Sequence, residues 1–181
     1  MDTKTINKIC KQDIFISKCF IGFFACDQTP KKFPEKSLAI VNLDEIKFAG
    51  SHWVILSSID DNRSIYFHSF GRPIKNSYIL SSLKKRKKPI FYNKIVLQHP
   101  LSQFCAFFCL FFCYFLARNF SIEDIMKAYF NPPKSIYTDL LVKNFIKEIF
   151  SLKNTPPFSH IENLKKKIIE HPKNGKNKRG Q

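Results

Sequence analysis

An unbroken apolar run, residues 104–117, dictates much of the architecture that this chain can adopt. It is too short to cross a bilayer, which takes roughly 20 residues of helix. A helix that is apolar on every side must instead be covered by other parts of the same chain. The run therefore predicts a buried core helix, Leu101–Arg118, with Ser102 as its N-cap.

The segments around this run predict strands before it and helices after it. Short apolar stretches bounded by loop residues are typical of strands, and those stretches are Leu38–Leu43, Trp53–Ile59, Ile65–Phe70 and Ile90–Gln98. Amphipathic spacing and cap residues predict further helices, and those are residues 3–15, a helix capped by Ser121, Ser135–Leu152 and Ser159–Glu170. This order predicts an α+β domain.

The length of 181 residues suits one domain with a proper core. We place that domain at residues 1–170. Residues 171–181 contain mainly Lys, Asn, Gly and Arg, so we expect a disordered basic tail there.

The chain is strongly basic, with 30 Lys and Arg against 14 Asp and Glu, a net charge of +16. Such a charge favours polyanionic partners, above all nucleic acid, although a solvated basic surface is the alternative. The densest cluster predicts a nucleic-acid-binding segment, and it consists of Lys84, Lys85, Arg86, Lys87 and Lys88.

Six cysteines are present, and no signal peptide precedes them because residues 1–11 are polar and charged. We therefore expect reduced thiols in a cytosolic or nuclear setting rather than a disulfide framework. No pair has the C-x-x-C spacing typical of zinc sites, so we predict no metal.

Three residues suggest a cysteine nucleophile with its helpers. Cys105 falls in the first turn of the predicted core helix, where unpaired amides and the helix dipole stabilise a thiolate. His52 could act as its base, and the side-chain amide of Gln98 could help to bind an oxyanion. Taken singly, each has a structural explanation, and core packing is what we expect of Cys109 and Cys113.

In combination, these residues resemble the adenovirus protease (adenain) family, which has relatives in large DNA viruses and virus-like DNA transposons. The resemblance covers roughly residues 15–118 and rests on Phe20-Ile21-Gly22, Ala39–Asn42, Gly50-Ser51-His52-Trp53, Phe67–Gly71, Gln98 and Cys105–Cys109. Six residues separate Gln98 from Cys105, which suits adenain-type enzymes, whereas SUMO-specific proteases look one residue shorter there. The resemblance implies an adenain/Ulp1-like fold, in which helices pack a mixed central β-sheet and the nucleophile begins a buried helix.

The family implies Cys105 as nucleophile, His52 as general base and Gln98 as oxyanion donor, with Trp53 on the wall of the substrate groove. It also implies an acid that orients His52, at the place held here by His68. A neutral His68 could accept the His52 N–H through a ring nitrogen but would supply no negative charge.

Strand parity decides whether His68 can serve. An odd number of residues in the loop between the two strands puts His68 on the face of His52, and a two- or four-residue turn puts Ser69 there instead. Asp60 and Asp61 lie too far along the strand from His52 to replace the acid. A further departure is Ala106, where the family usually has Gly and where a methyl group could crowd the substrate.

The resemblance implies a cysteine endopeptidase that cleaves viral capsid or core precursor proteins during virion maturation. It would act as a monomer on protein substrates, in the virion and the host nucleus or cytoplasm, without a membrane. No cofactor would be required, with DNA as an activator. A disulfide-linked peptide cofactor is not expected, because no cysteine lies between Cys26 and Cys105. Two alternatives remain open: an isopeptidase acting on ubiquitin-like modifiers, and a catalytically dead relative that binds nucleic acid in the virion.

Overall fold

The computed structural model describes residues 3–131 and 135–151. Within these ranges the strands are β1 (Phe20–Ala25), β2 (Leu38–Asn42), β3 (Trp53–Ser57), β4 (Ser64–Phe67) and β5 (Ile90–Tyr92). The helices are α1 (Thr3–Gln12), α2 (Ile16–Cys19), α3 (Ser77–Lys84), α4 (Cys105–Leu116), α5 (Ile122–Tyr129) and α6 (Ser135–Ser151). The predicted helix Ser159–Glu170 and the predicted tail at 171–181 lie outside the described residues.

The five strands form one mixed sheet in the order β1-β2-β3-β4-β5. The outer pairs β1–β2 and β4–β5 are parallel, and the inner pairs β2–β3 and β3–β4 are antiparallel. The apolar helix α4 packs on β3, and α1, α5 and α6 pack on α4. This arrangement confirms the predicted α+β class, with a mixed central sheet packed by helices.

Helix α4 is the core of the molecule, since ten of its twelve residues are buried. The Phe111 ring alone contacts the rings of five other aromatic residues, which are Phe112, Phe115, Tyr129, Phe130 and Phe145. Each large side chain buried in this way contributes roughly 1.5–3 kcal/mol to folding. Among the described helices, none combines the length and the apolarity needed to cross a membrane.

The start of α4 differs from the prediction. The helix begins at Cys105 with Phe104 as N-cap and without a side-chain cap, so the predicted start at Leu101 and the Ser102 cap are wrong. The preceding residues instead form a turn, in which the Ser102 N–H donates to the His99 carbonyl, and Leu101 is 89 % exposed.

The strand predicted at Ile90–Gln98 ends after only three residues, at Tyr92. Asn93 explains this, because its side chain replaces the backbone ladder: Oδ1 accepts from the His68 N–H and Nδ2 donates to the His68 carbonyl. Three elements were not predicted: α2, β1 and α3. Helix α3 is capped by Asn76, whose side chain accepts from the Ile79 N–H.

Candidate active site

His52 lies immediately before β3, at one end of the sheet, and is buried. Its carbonyl accepts the Leu43 N–H, which ties it to the end of β2. Gly50 shapes the approach, because its φ is +89° and a Cβ there would lie 2.5 Å from the Asn42 side-chain nitrogen. A larger residue would therefore displace the segment that carries His52.

His68 lies on the same side of the sheet as His52. The last pair between β3 and β4 is Ser57 with Ile65, so seven residues, 58–64, connect the paired positions. This odd number places the two histidines on one face. Their rings stack with centroids 4.4 Å apart and planes 25° apart.

This stacking differs from the hydrogen bond that we expected between the two rings. Ring N–H groups point along the ring plane, whereas His68 lies over the face of His52. The His68 Nδ1 atom accepts the Phe70 N–H instead. His68 therefore packs against the His52 ring and does not take the hydrogen-bonding position of an acid.

Ser69 lies at the ring edge of His52, with its Oγ 3.4 Å from Nε2. It reaches this place because β4 ends at Phe67 and the chain then turns, with the Gly71 N–H bonded to the His68 carbonyl at 2.7 Å. Gly71 has φ +62°, and a Cβ there would lie 2.8 Å from the backbone of Ile95. The turn thus permits both His68 and Ser69 to contact His52.

A run of hydrogen bonds links His52 to the segment before α4. The Ser69 hydroxyl donates to Gln98 Oε1 at 2.6 Å, and Gln98 Nε2 donates to the Ser102 carbonyl at 2.8 Å. Gln98 is 1 % exposed. One N–H of its amide is used in this way, which leaves the second as the possible oxyanion donor.

Helix α6 holds this segment from the other side. Asp139 Oδ1 accepts the His99 N–H at 3.3 Å, and the Thr138 hydroxyl donates to the Leu97 carbonyl. Both side chains are buried. The position of Gln98 therefore depends on the helical part of the chain beyond the family resemblance.

Cys105 is the first residue of α4 and is half-buried. The first helical N–H with a partner is that of Phe108, which bonds to the Phe104 carbonyl, so the N–H groups of Cys105 to Phe107 lie free of the helix ladder. Within the described residues the Cys105 thiol makes no hydrogen bond to His52. His52 and the Cys105 segment are instead linked through the hydrogen bonds of Ser69, Gln98 and Ser102, and Ser102 lies three residues before Cys105.

Two neighbours of the site residues face the core. The Ala106 side chain is 4 % exposed and belongs to the core cluster. Its methyl group therefore points into the core and does not crowd a substrate at Cys105, contrary to the expectation from the sequence. Trp53 is half-buried and packs edge-to-face on Phe23, with ring centroids 5.9 Å apart. This contact places Trp53 against β1.

Burial keeps both histidines neutral at pH 7. It lowers the pKa of His52 to about 4, with a smaller contribution from the Arg72 guanidinium. It lowers the pKa of His68 to about 3, with contributions from His52 and Arg72. The two aspartates judged too distant to orient His52 form ion pairs with other residues, Asp60 with Arg63 and Asp61 with Lys36.

The basic run divides into a buried and an exposed part. The Arg86 guanidinium is buried and binds Glu35 Oε2 and Ser64 Oγ, each at 2.6 Å, and Lys88 lies 3.4 Å from the same Glu35 oxygen. Lys84, Lys85 and Lys87 are exposed. Within this basic run, only these three lysines can meet a polyanion without breaking an ion pair given by the structure.

The sequence pattern places Ser69 beside His52 only if the loop between the two strands has an even number of residues, and it assigns no role to Asp139. The useful signal for Ser69 was Gly71, which marks a turn after His68, so that strand parity places His68 but does not govern Ser69. Asp139 carries no local signal, because its role depends on a residue 40 positions away.

No protein-family model and no curated protein sequence matches this chain significantly. Among solved structures, it is similar to a protease of ASFV, at 14 % identity and a TM-score of 0.40, over 56 % of this chain and 41 % of that one. It is also similar to ChlaDub1 from Chlamydia trachomatis, at 14 % identity and a TM-score of 0.40, over 68 % of this chain and 49 % of that one. The chain thus spans less than half the length of either neighbour.

Proposed function

We propose that this chain is a cysteine endopeptidase with Cys105 as nucleophile and His52 as general base. The observation that carries the proposal is the hydrogen-bonded run from His52 through Ser69 and Gln98 to Ser102. It joins a buried neutral imidazole to the N-terminus of the helix that begins with Cys105. A thiol, a base and unpaired amides are the groups that acyl transfer requires.

The chemistry follows from these positions. His52, neutral at pH 7, takes the Cys105 proton as the substrate closes the site, and the thiolate attacks the scissile carbonyl. The oxyanion is met by the free N–H groups at the start of α4 and the second N–H of Gln98. The peptide amine then leaves with a proton from His52, and water hydrolyses the thioester.

The substrates proposed are viral capsid or core precursor proteins, cleaved in the virion or in the host nucleus or cytoplasm, with DNA as activator. The adenain-like motifs and the net charge of +16 support this. The exposed lysines 84, 85 and 87 offer a surface for DNA, adjoining Leu80 and Ser81 along α3. No part of the proposal requires a metal or a second protein.

The competing candidate is a catalytically dead relative that binds nucleic acid. One observation favours it: the ring that stands where the family has an acid is stacked on His52 and neutral, so no charge stabilises the imidazolium. An enzyme that uses this site would work without that charge and would turn over more slowly than one that has it.

The test is cleavage of a diverse peptide library by the purified chain, with and without duplex DNA. Cys105→Ala should abolish all cleavage, whereas Cys19→Ala removes another half-buried thiol remote from the site and should leave it intact. Cleavage that survives Cys105→Ala would show that Cys105 is not the nucleophile, and no cleavage by the unaltered chain would favour the dead relative. Cleavage restricted to bonds on lysine side chains would indicate the isopeptidase instead.

A further inference from the structure

We propose that Ser69 is a positioning residue that fixes the tautomer of His52, so that Nδ1 is the ring nitrogen left free to accept a proton. This inference rests on the proposed function, since it assigns a role within the same site. Its structural part, the tautomer, can be measured without any activity.

The contact with Ser102 determines the orientation of the Gln98 amide. One end of this amide lies 2.8 Å from the Ser102 carbonyl oxygen, which can only accept a hydrogen bond. The nitrogen must therefore face Ser102, because the reverse orientation would set two proton-free oxygens against each other. Consequently Oε1 faces Ser69.

The Ser69 proton is determined in the same way. Ser69 Oγ lies 2.6 Å from Gln98 Oε1, which carries no proton, so the single hydroxyl proton of Ser69 must lie between them. Only lone pairs of Ser69 Oγ then remain to face His52 Nε2 at 3.4 Å. Two lone pairs would repel each other, so Nε2 carries the proton of the neutral ring.

The consequence concerns the other ring nitrogen. His52 is neutral because burial lowers its pKa to about 4, and a neutral imidazole protonated at Nε2 has its lone pair at Nδ1. Nδ1 is thereby ready to take a proton. After the transfer, the imidazolium donates a charge-assisted hydrogen bond through Nε2 to Ser69, which shortens the 3.4 Å contact.

Ser69 thus determines which nitrogen of His52 carries the proton, as an acid would, but it supplies no negative charge. His68 cannot do this, since it covers the ring face and its Nδ1 accepts from Phe70. Phe70 stacks on His52 as well, at 5.0 Å between centroids. These two rings hold the plane of His52, and Ser69 sets its protonation within that plane.

The test uses a matched pair, Ser69→Thr and Ser69→Val, which add the same bulk at a residue that is 1 % exposed and differ only in the hydroxyl. The first measurement is the ¹⁵N spectrum of the full chain labelled at histidine, with His52→Gln to assign the signals. We expect His52 protonated at Nε2 in the unaltered chain and in Ser69→Thr, and a mixture of tautomers in Ser69→Val.

The second measurement is kcat/KM across pH for the peptide found with the library. We expect Ser69→Val to lie roughly 10- to 100-fold below Ser69→Thr. Equal rates for the two variants, or a wild-type His52 protonated at Nδ1, would overturn the proposal. If the tautomer is as expected but Cys105-dependent cleavage is absent, the proposed function fails while the role of Ser69 in fixing the tautomer stands. If Ser69→Val does not fold, the spectrum of the unaltered chain still decides.

Discussion

The imidazole rings of His52 and His68 lie face to face, with centroids 4.4 Å apart and both side chains buried. Neither ring can take up a proton without placing a charge against the other in a site that water scarcely reaches. The pair therefore makes the fold sensitive to acid as well as forming part of the candidate site.

We expect the free energy of unfolding to fall as the pH drops from about 6.5 towards 4. An exposed histidine takes up its proton near pH 6.5, whereas burial lowers the pKa of His52 to about 4 and that of His68 to about 3. Between these values the unfolded chain binds more protons than the folded one, so acid favours unfolding. The lowered pKa of His52 accounts for a loss of about 3 kcal/mol in the free energy of unfolding over this range.

Urea unfolding at a series of pH values measures this effect. His68→Phe keeps a ring in the stack but cannot titrate, so it should reduce the slope between pH 6.5 and 4 by about one proton. An unfolding free energy that stays constant over this range would show that the histidines are accessible to protons in the folded state.

Cys105 should be alkylated at least tenfold faster than Cys109 or Cys113 at pH 7.5, with iodoacetamide and peptide mapping as the readout. Burial raises the pKa of both deeper thiols, and both are fully enclosed by the core, whereas Cys105 is half-buried. Similar rates for the three would mean that α4 opens and closes as a unit. That result would also weaken the case for a nucleophile.

Replacement of Lys84, Lys85 and Lys87 by Gln should weaken DNA binding and make it less dependent on salt. Each lost phosphate contact lowers the slope of log K against log salt by about 0.9. The control replaces the exposed Lys4, Lys8 and Lys11 of α1, which removes the same charge from another element. Equal losses in the two triple variants would indicate that net charge, and not this surface, binds DNA.

Arg86→Gln should destabilise the fold by roughly 2 kcal/mol, while the adjacent Lys85→Gln should change stability little. Arg86 NH1 donates to Ser64 Oγ at the start of β4, and NH2 pairs with Glu35. The substitution leaves the buried Ser64 hydroxyl without this donor and Glu35 without its buried partner, whereas Lys85 is exposed. Thermal unfolding of the two variants side by side provides the comparison, and equal melting temperatures would contradict it.

Asp139→Asn should preserve activity and leave stability unchanged or slightly higher, whereas Asp139→Leu should lower both. Burial raises the pKa of Asp139, so the folded state holds a proton more tightly than the unfolded one and loses stability as the pH rises through that pKa. Asn keeps an acceptor for the His99 N–H without a charge, and Leu leaves that N–H unpaired. Cleavage assays and urea unfolding of both variants measure these effects. Equal effects of the two substitutions would show that the hydrogen bond from the His99 N–H to Asp139 does not hold the Gln98 segment in place.

Several features followed from the sequence because they depend on neighbouring residues. The unbroken apolar run had to become an enclosed helix, and α4 is that helix. Strands β2 and β3 arise from short apolar stretches bounded by loop residues, and α5 from its Ser121 cap; all three begin where the patterns predicted them. The pairing of His52 with Cys105 as site residues came from motif order and remains a prediction.

Tertiary structure decided the remainder, because those outcomes depend on side chains distant in sequence. Asn93 ends β5 by bonding the backbone of His68, and Glu35 draws the buried Arg86 side chain out of the basic run into an ion pair. The contacts of the His52 ring were decided in the same way. Strand parity brings His68 over the ring face, whereas the turn at Gly71 and the hydrogen bond to the Gln98 amide bring Ser69 to Nε2 at the ring edge. Residue types and their spacing determined which groups are present, whereas hydrogen bonds between remote segments determined which of them contact His52.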